Sequence, residues 1–197
     1  MKKLCSALFF VALSAGNLQA QPIDWKLDKA HSNVTFAVTH MVISEVTGTF
    51  RDYEISVRTS QDDFSDASIQ AVINVASIDT DNERRDGHLK SDDFFSAEKF
   101  PEIRFTSKSI EKIDEKNYKI HGDLTIRDIT KPVTFDAVFN GRLKMGKAER
   151  VGWKATLTID RFDFGLQWDR TIEAGGLVVG KEVKITVNLE LTREIAS

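Results

Sequence analysis

Apolar and polar residues alternate with period two along most of the chain. Val34, Phe36, Val38 and His40 share one face, and Asn33, Thr35, Ala37 and Thr39 share the other. The pattern returns in Ile69, Ala71, Ile73 and Val75, and in Val133, Phe135, Ala137 and Phe139. It returns again in Val151, Trp153, Ala155, Leu157 and Ile159, and in Val183, Ile185, Val187, Leu189 and Leu191. Half-buried antiparallel strands require this alternation, because successive side chains point to opposite faces. Weaker runs place further strands over 23–29, 47–58, 101–113 and 117–128. Gly48, Gly122, Gly141 and Gly146 lie between or beside the runs, where turns need them. Pro101 and Pro132 stand at strand starts, where a missing N–H is tolerated.

One stretch reads as helical, from Asp81 to Glu98. Asp81 or Asn82 can cap a first short helix and Ser91 a second, and Phe94, Phe95 and Phe100 give the end of the stretch an apolar side. The pair is expected to lie over one end of the sheet. Gly165 to Gly180 reads as irregular. With no internal repeat and no linker, the pattern predicts one domain. Eight or nine antiparallel strands must close into a barrel or stack as a sandwich. Runs of ten or more residues exceed the usual strand length and favour a closed up-and-down barrel. About eight strands leave an interior able to hold one small apolar ligand, with a filled core as the alternative.

The first twenty residues change the setting. Lys2 and Lys3 precede a short apolar run from Leu4 to Ala15, and Leu18-Gln19-Ala20 offers a small residue before Gln21. This is the layout of a secretory signal peptide cleaved after Ala20, and the run is too short to span a bilayer. It implies a periplasmic or secreted protein. Cys5 stands at the start of the apolar run rather than at its end, which argues against a lipoprotein signal, and it is the only cysteine of the 197 residues. The exported chain would therefore lack disulfides, a thiol nucleophile and cysteine-bound zinc. Cleavage takes two lysines from 27 basic residues and leaves 30 acidic ones, with the charges interspersed. That balance argues against nucleic acid or an anionic membrane surface as the main partner, and no later run is apolar enough to cross a membrane.

Catalytic motifs are missing: there is no G-x-S-x-G, no H-E-x-x-H and no C-x-x-C. Gly175-Gly176-Leu177-Val178-Val179-Gly180-Lys181 imitates a phosphate loop, but Glu182 follows where Ser or Thr is needed, and a strand follows where a helix is needed. Among His31, His40, His88 and His121, no two stand at helical i, i+4 spacing. His31 and His40 are an odd number of residues apart, so a regular strand sends them to opposite faces, and no metal site is expected. His40 continues the apolar face of Val34, Phe36 and Val38 and should point inward near a strand end. It is either a core histidine bonded to backbone or a polar contact for a ligand head group.

The order of motifs resembles the YceI-like family of secreted bacterial proteins, also called polyisoprenoid-binding periplasmic proteins. The matching segments begin with Trp25-Lys26-Leu27-Asp28, His31-Ser32, Phe36, His40 and Val46-Thr47-Gly48-Thr49-Phe50. Then come Ser77-Ile78-Asp79-Thr80 and the run Arg85-Asp86-Gly87-His88-Leu89-Lys90-Ser91-Asp92-Asp93-Phe94-Phe95. Phe100-Pro101, Phe105, Gly122 to Ile126, Thr130-Lys131-Pro132-Val133 and Arg161 to Gly165 complete the match. The resemblance implies an all-β, lipocalin-like, eight-stranded antiparallel up-and-down barrel with one or two short helices. It implies an apolar tunnel holding an isoprenoid chain or similar lipid and does not imply a reaction; no cofactor, metal or catalysis is expected. Arg85, Asp86 and His88 are then expected to hold the helical segment against the barrel.

On that reading the ligand-binding residues are Phe36, Val38, His40, Phe50, Ile73, Phe105, Phe135, Trp153 and Phe164, with Phe94 and Phe95 at the helical lid. The partner is an isoprenoid or other long-chain lipid, with no nucleic acid and no membrane span, and a homodimer is left open. A lipid of about thirty heavy atoms at about −0.3 kcal/mol each could bind below micromolar without a charged contact. Two rivals stand beside the carrier: a stress-related interaction protein with a structural cavity, and an enzyme using His40 as general base.

Overall fold

The computed structural model describes residues 22–173 and 175–195. The segment 1–20, with the expected cleavage after Ala20, lies outside the described residues. The strands are β1 (Ile23–Leu27), β2 (Asn33–His40), β3 (Ser44–Phe50), β4 (Tyr53–Thr59), β5 (Ser68–Asn74), β6 (Ile78–Asp79), β7 (Glu102–Lys112), β8 (Asn117–Ile126), β9 (Ile129–Met145), β10 (Ala148–Asp160) and β11 (Val179–Glu194). One helix, α1 (Glu83–Lys90), interrupts them.

Eleven strands build eight walls, because three walls are each broken by a short turn. β1 and β2 both pair with β11, at Leu27↔Leu191 and Asn33↔Asn188, with a single 3-10 turn (Lys29–His31) between them. β3 and β4 meet at Arg51–Asp52; β5 and β6 meet at the 3-10 turn Val75–Ser77. All pairings are antiparallel, and β1 closes the ring by pairing with both β4 and β11. This is a closed eight-walled barrel, as the alternation and the strand lengths predicted.

Pro132 lies inside β9 rather than at its start. It is tolerated because β10 pairs with β9 only from Asp136 onward, so the stretch around Pro132 has a ladder on one side alone. The second expected helix is absent. Asn82 caps α1 by accepting the Arg85 N–H at 3.0 Å. After Lys90 the chain folds into turns, with the Ser96 N–H donating back to the Ser91 carbonyl at 2.8 Å. Ser96 itself holds φ +52, a conformation no helix can pass through.

The barrel has a sealed floor. The loop 60–67 brings Phe64 beneath the walls, with its ring 5.2 Å from Trp25, 5.3 Å from Trp153 and 6.4 Å from Phe139. Phe64 adopts φ +61, and the loop is pinned by the Asp66 carboxylate, which accepts from the Ser60 and Gln61 N–H groups and from the Thr59 hydroxyl. Beside it Glu149 is fully buried between Arg142 at 3.0 Å and Arg193 at 2.5 Å. Burial pushes the Glu149 carboxyl up, but the bonds from Arg193 and Arg142 outweigh it, so its pKa lies below the ordinary value. Asp63, held by Lys112 and Ser65, is lowered to about 2.

Folded-state values below the unfolded ones mean that this stabilisation is complete above the unfolded pKa and is lost as pH falls through the folded pKa. We expect Glu149→Gln to cost about 3 kcal/mol near neutral pH, because two guanidinium groups lose their buried counter-ion. Urea unfolding at stepped pH should show the gap between wild type and variant closing as pH falls through the lowered pKa of Glu149, where the carboxyl takes up its proton. A gap of constant size down to pH 2 would contradict this account of the floor.

Candidate functional site: an apolar tunnel with a polar mouth

The opposite end is open. A cavity of about 510 Å³ sits there between the end of β2, the start of β3, α1, and the loop leading into β11. Its walls include Val38, Thr39, His40 and Val46 from the hairpin, Asn82, Arg84, Arg85, His88 and Leu89 from the helix, and Phe94, Trp168, Val178 and Val179. The helical spacing explains the polarity of this mouth. Arg84 and His88 are four apart, as are Arg85 and Leu89, so one face of α1 turns both arginines and the imidazole towards the opening. No carboxylate lines the cavity among the described residues.

The family-like run does both jobs, clasping the helix and lining the mouth. Buried Thr80 is the clasp: Asp86 accepts from its N–H at 3.0 Å and its hydroxyl at 2.6 Å, and Arg85 donates to its hydroxyl at 2.7 Å and its carbonyl at 2.6 Å. His88 is held by Asp93 at 2.9 Å and packs edge-on against Phe94 and Trp168, with centroids 5.1 and 5.4 Å away. His40 is half-buried, and its ring has no hydrogen-bond partner among the described residues. Of its two expected roles, the contact for an incoming polar group is the one the geometry leaves available.

Behind the mouth the lining becomes apolar. A cavity of about 90 Å³ shares Phe36, Val38, Leu89, Phe94 and Val179 with the mouth. A central cavity of about 120 Å³ shares Phe36, Phe50, Ile103, Ile126 and Ile185 with that one. A deep cavity of about 50 Å³ shares Ile69, Ile120, Ala155 and Leu189 with the central one and ends on Phe64 and Trp153. Shared walls put the four in sequence from the mouth to the floor. Two glycines let the rings lie flat against the wall: a Cβ on Gly48 would stand 2.4 Å from the Phe36 ring, and one on Gly122 2.5 Å from the Phe105 ring.

The structure gathers most of the residues chosen from sequence. Phe36 touches the first three cavities; Val38 and Phe94 line the mouth and the cavity behind it; His40 lines the mouth. Phe50 and Phe95 line the second cavity, Ile73, Phe105 and Phe135 the central one, and Trp153 the deep one. Phe164 does not join them. It sits 2 % exposed in the 3-10 turn Arg161–Phe164, where strand alternation no longer sets direction, and lines none of these cavities.

Sequence reasoning missed Ile126 and Ile185, which alternation alone could have supplied. It also missed Trp168, Val178 and Arg161, which carry no local signal. Arg161 is 3 % exposed and donates to the carbonyls of Gly180 (2.9 Å), Trp168 (2.7 Å), Val179 (3.0 Å) and Leu166. Its guanidinium lies 4.3 Å from the Phe162 ring centroid. Burial holds its pKa below the ordinary arginine value, and Asp160 and Asp169 offset only part of that. The loop that forms one side of the mouth is therefore tied down by one buried cation.

Among the described residues, Asp28, His31 and Glu190 have ligand atoms within 4.8 Å of one another. The Arg150 guanidinium already bridges Asp28 (2.9 Å) and Glu190, so the group reads as an ion-pair clasp on the β1–β2 break rather than a metal centre.

A closed antiparallel barrel with a sealed floor, a graded apolar interior and one polar mouth is the architecture of a protein that binds. The model of the YceI-like domain matches residues 25–191, and the chain belongs to that family. A UPF0312 protein of Staphylococcus aureus is 38 % identical over 171 residues, which are 86 % of this chain and 97 % of the relative. The YceI protein of Campylobacter jejuni is 35 % identical, covering 87 % of this chain and 98 % of its own, with a TM-score of 0.65. A domain from Saccharophagus degradans, described as polyisoprenoid-binding and implicated in plant cell wall breakdown, shares the fold at 16 % identity and a TM-score of 0.64, with coverage of 87 % and 98 %. No helix among the described residues is long and apolar enough to cross a membrane.

Proposed function

We propose that this is an exported, periplasmic carrier that holds an isoprenoid chain or a similar long lipid in the barrel, with the polar head at the mouth, and that it performs no chemistry on its cargo. The observation that carries the reading is the series of cavities that share walls and lose polarity from mouth to floor. A long apolar chain matches that series, and its burial contributes about 0.8 kcal/mol per methylene. Arg84, Arg85, His88 and His40 suit a head group that accepts hydrogen bonds or carries negative charge. The polyisoprenoid-binding description of the Saccharophagus domain supports the choice of ligand at the level of the fold. Against catalysis, no carboxylate in the mouth lining could orient His40 as a general base, and its ring has no hydroxyl partner among the described residues.

The test is solvent extraction and native mass spectrometry of protein expressed with its leader and purified without detergent. The expected result is a co-purifying lipid with a long unsaturated or branched chain. Protein that carries no lipid, and that also fails to take up an added polyprenol in titration, would leave the cavity structural and favour the interaction-protein reading.

A further inference from the structure

The tip of the β2–β3 hairpin puts three consecutive apolar residues in solvent. Met41 is 42 % exposed, Val42 64 % and Ile43 88 %. Consecutive exposed apolar residues work against solubility and are kept where they do something. The other large apolar side chains exposed among the described residues lie on strands and turns remote from the mouth, and at Leu143-Lys144-Met145 they alternate with charge. The tip is also held in an unfavourable backbone. Met41 has φ +51 and Val42 φ +67, and a β-branched residue in that region is a genuine outlier where Gly or Asn is the usual choice. An apolar tip has been kept at a position that polar Asn would fill with less strain.

The tip stands on the rim of the tunnel. The Met41 N–H donates to the Val178 carbonyl at 2.8 Å and the Ile43 N–H to the His40 carbonyl at 3.2 Å, and Val178 and His40 both line the mouth. Gly176, across from it, offers no side chain to cover Val42; a Cβ there would lie 3.1 Å from Val42 Cγ2. Two of the three N–H groups in the tip are bonded within the protein, so it can enter an apolar phase at small backbone cost. The three side chains expose on the order of 300 Å², well short of the roughly 800 Å² per partner of a stable protein interface. The mouth carries Arg84 and Arg85 with no carboxylate in its lining, while Glu45, Asp169 and Arg170 are exposed near lining residues in the chain.

We propose that Met41–Ile43 is a finger that dips into the surface of a lipid bilayer and brings the tunnel mouth against the membrane for loading and release. Contact is brief, because the inserted area is small. It is apolar rather than ionic, because the three side chains at the tip carry no charge. This rests on the carrier reading for its purpose but not for its observation.

The experiment compares wild type with Val42→Asn/Ile43→Ser, and with Ile43→Ser alone as a milder variant. Asn accepts positive φ, so the double variant should fold with an unchanged or raised melting temperature. Phosphatidylcholine vesicles are the probe, at low and high salt, read by co-sedimentation. Transfer of a fluorescent polyprenol from protein to vesicles is followed in parallel. The expected result is wild-type association that persists in high salt, falls about tenfold or more in the double variant, and falls less in Ile43→Ser. Transfer should slow in the same order while extracted lipid content stays the same. The finger is overturned if wild type does not associate with the vesicles, if the variants associate equally well, or if salt abolishes the association. It is equally overturned if wild type is a dimer that the double variant dissociates, which would assign the tip to a second copy, or if the variants lose cargo. Vesicle association of protein that carries no lipid would uphold the finger and sink the carrier, so the two failures are distinct.

Discussion

Arg161→Leu should lower stability by about 3 kcal/mol and release the loop that follows β10. Four backbone carbonyls, of Leu166, Trp168, Val179 and Gly180, depend on this one guanidinium. Leucine fills part of its space against Phe162 and Phe94 but donates nothing, and each buried carbonyl left unpaired costs about 1–3 kcal/mol. The loop will recover part of that by opening to water, which moves Trp168, Val178 and Val179 away from the mouth. Two measurements separate the global loss from the local one. Urea unfolding reads the first. Limited trypsin digestion at Arg170, which lies exposed in the loop, reads the second. Rapid cleavage at Arg170 in a variant that is still folded is the expected pattern. Arg161→Lys should behave almost as badly, since one ammonium cannot reach carbonyls spread around a planar fork. A variant that keeps both its stability and its resistance at Arg170 would show that the loop is held by its apolar contacts alone.

The same loop marks where reading the sequence stops working. Alternation carried the barrel because it reports which side of a wall a residue occupies, and it set Phe36 and Phe135 on the apolar faces of their runs. It also held information that went unused. Phe50 and Tyr53 are both buried although three residues apart, a phase slip that betrays the break between β3 and β4 inside the expected run 47–58. Trp25 and Val34, both buried and nine apart, betray the β1–β2 break in the same way. Outside the strands there is no period to read. Arg161 looks like any surface arginine until Gly180 and Trp168 fold over it, and Ser96 gives no warning of the left-handed backbone that rules out the second helix. Phe164 belongs with these, since it lies past Ile159, the last residue of the alternating run, in a 3-10 turn where no period sets its direction. The mouth residues from α1 could be approached only through the family-like run. Their role as a polar rim depends on where the helix lands, which is set by contacts such as Arg85 and Asp86 on Thr80, distant from any pattern.

Ala155→Phe should shorten the chain that the protein accepts. Ala155 is the small residue in the wall shared by the central and deep cavities, which it forms together with Ile69, Ile120 and Leu189. A phenyl ring there fills the passage while keeping the lining apolar. Packing strain of about 1–3 kcal/mol is expected, reduced by the space that the ring takes up. Ligands that end in the central cavity should bind as before. Those that reach the floor lose the burial of their last five-carbon unit, about 3–4 kcal/mol at 0.8 kcal/mol per carbon, or two to three decades in affinity. Titration with polyprenols of graded length should therefore show equal affinities for short chains and a widening deficit for long ones. Ile73→Trp, set in the central cavity, should instead weaken all but the shortest chains. This difference in length dependence separates a ruler from a general loss of binding. If folded Ala155→Phe protein keeps the wild-type preference for length, the deep cavity is a packing defect beneath the site, and the cargo ends above it.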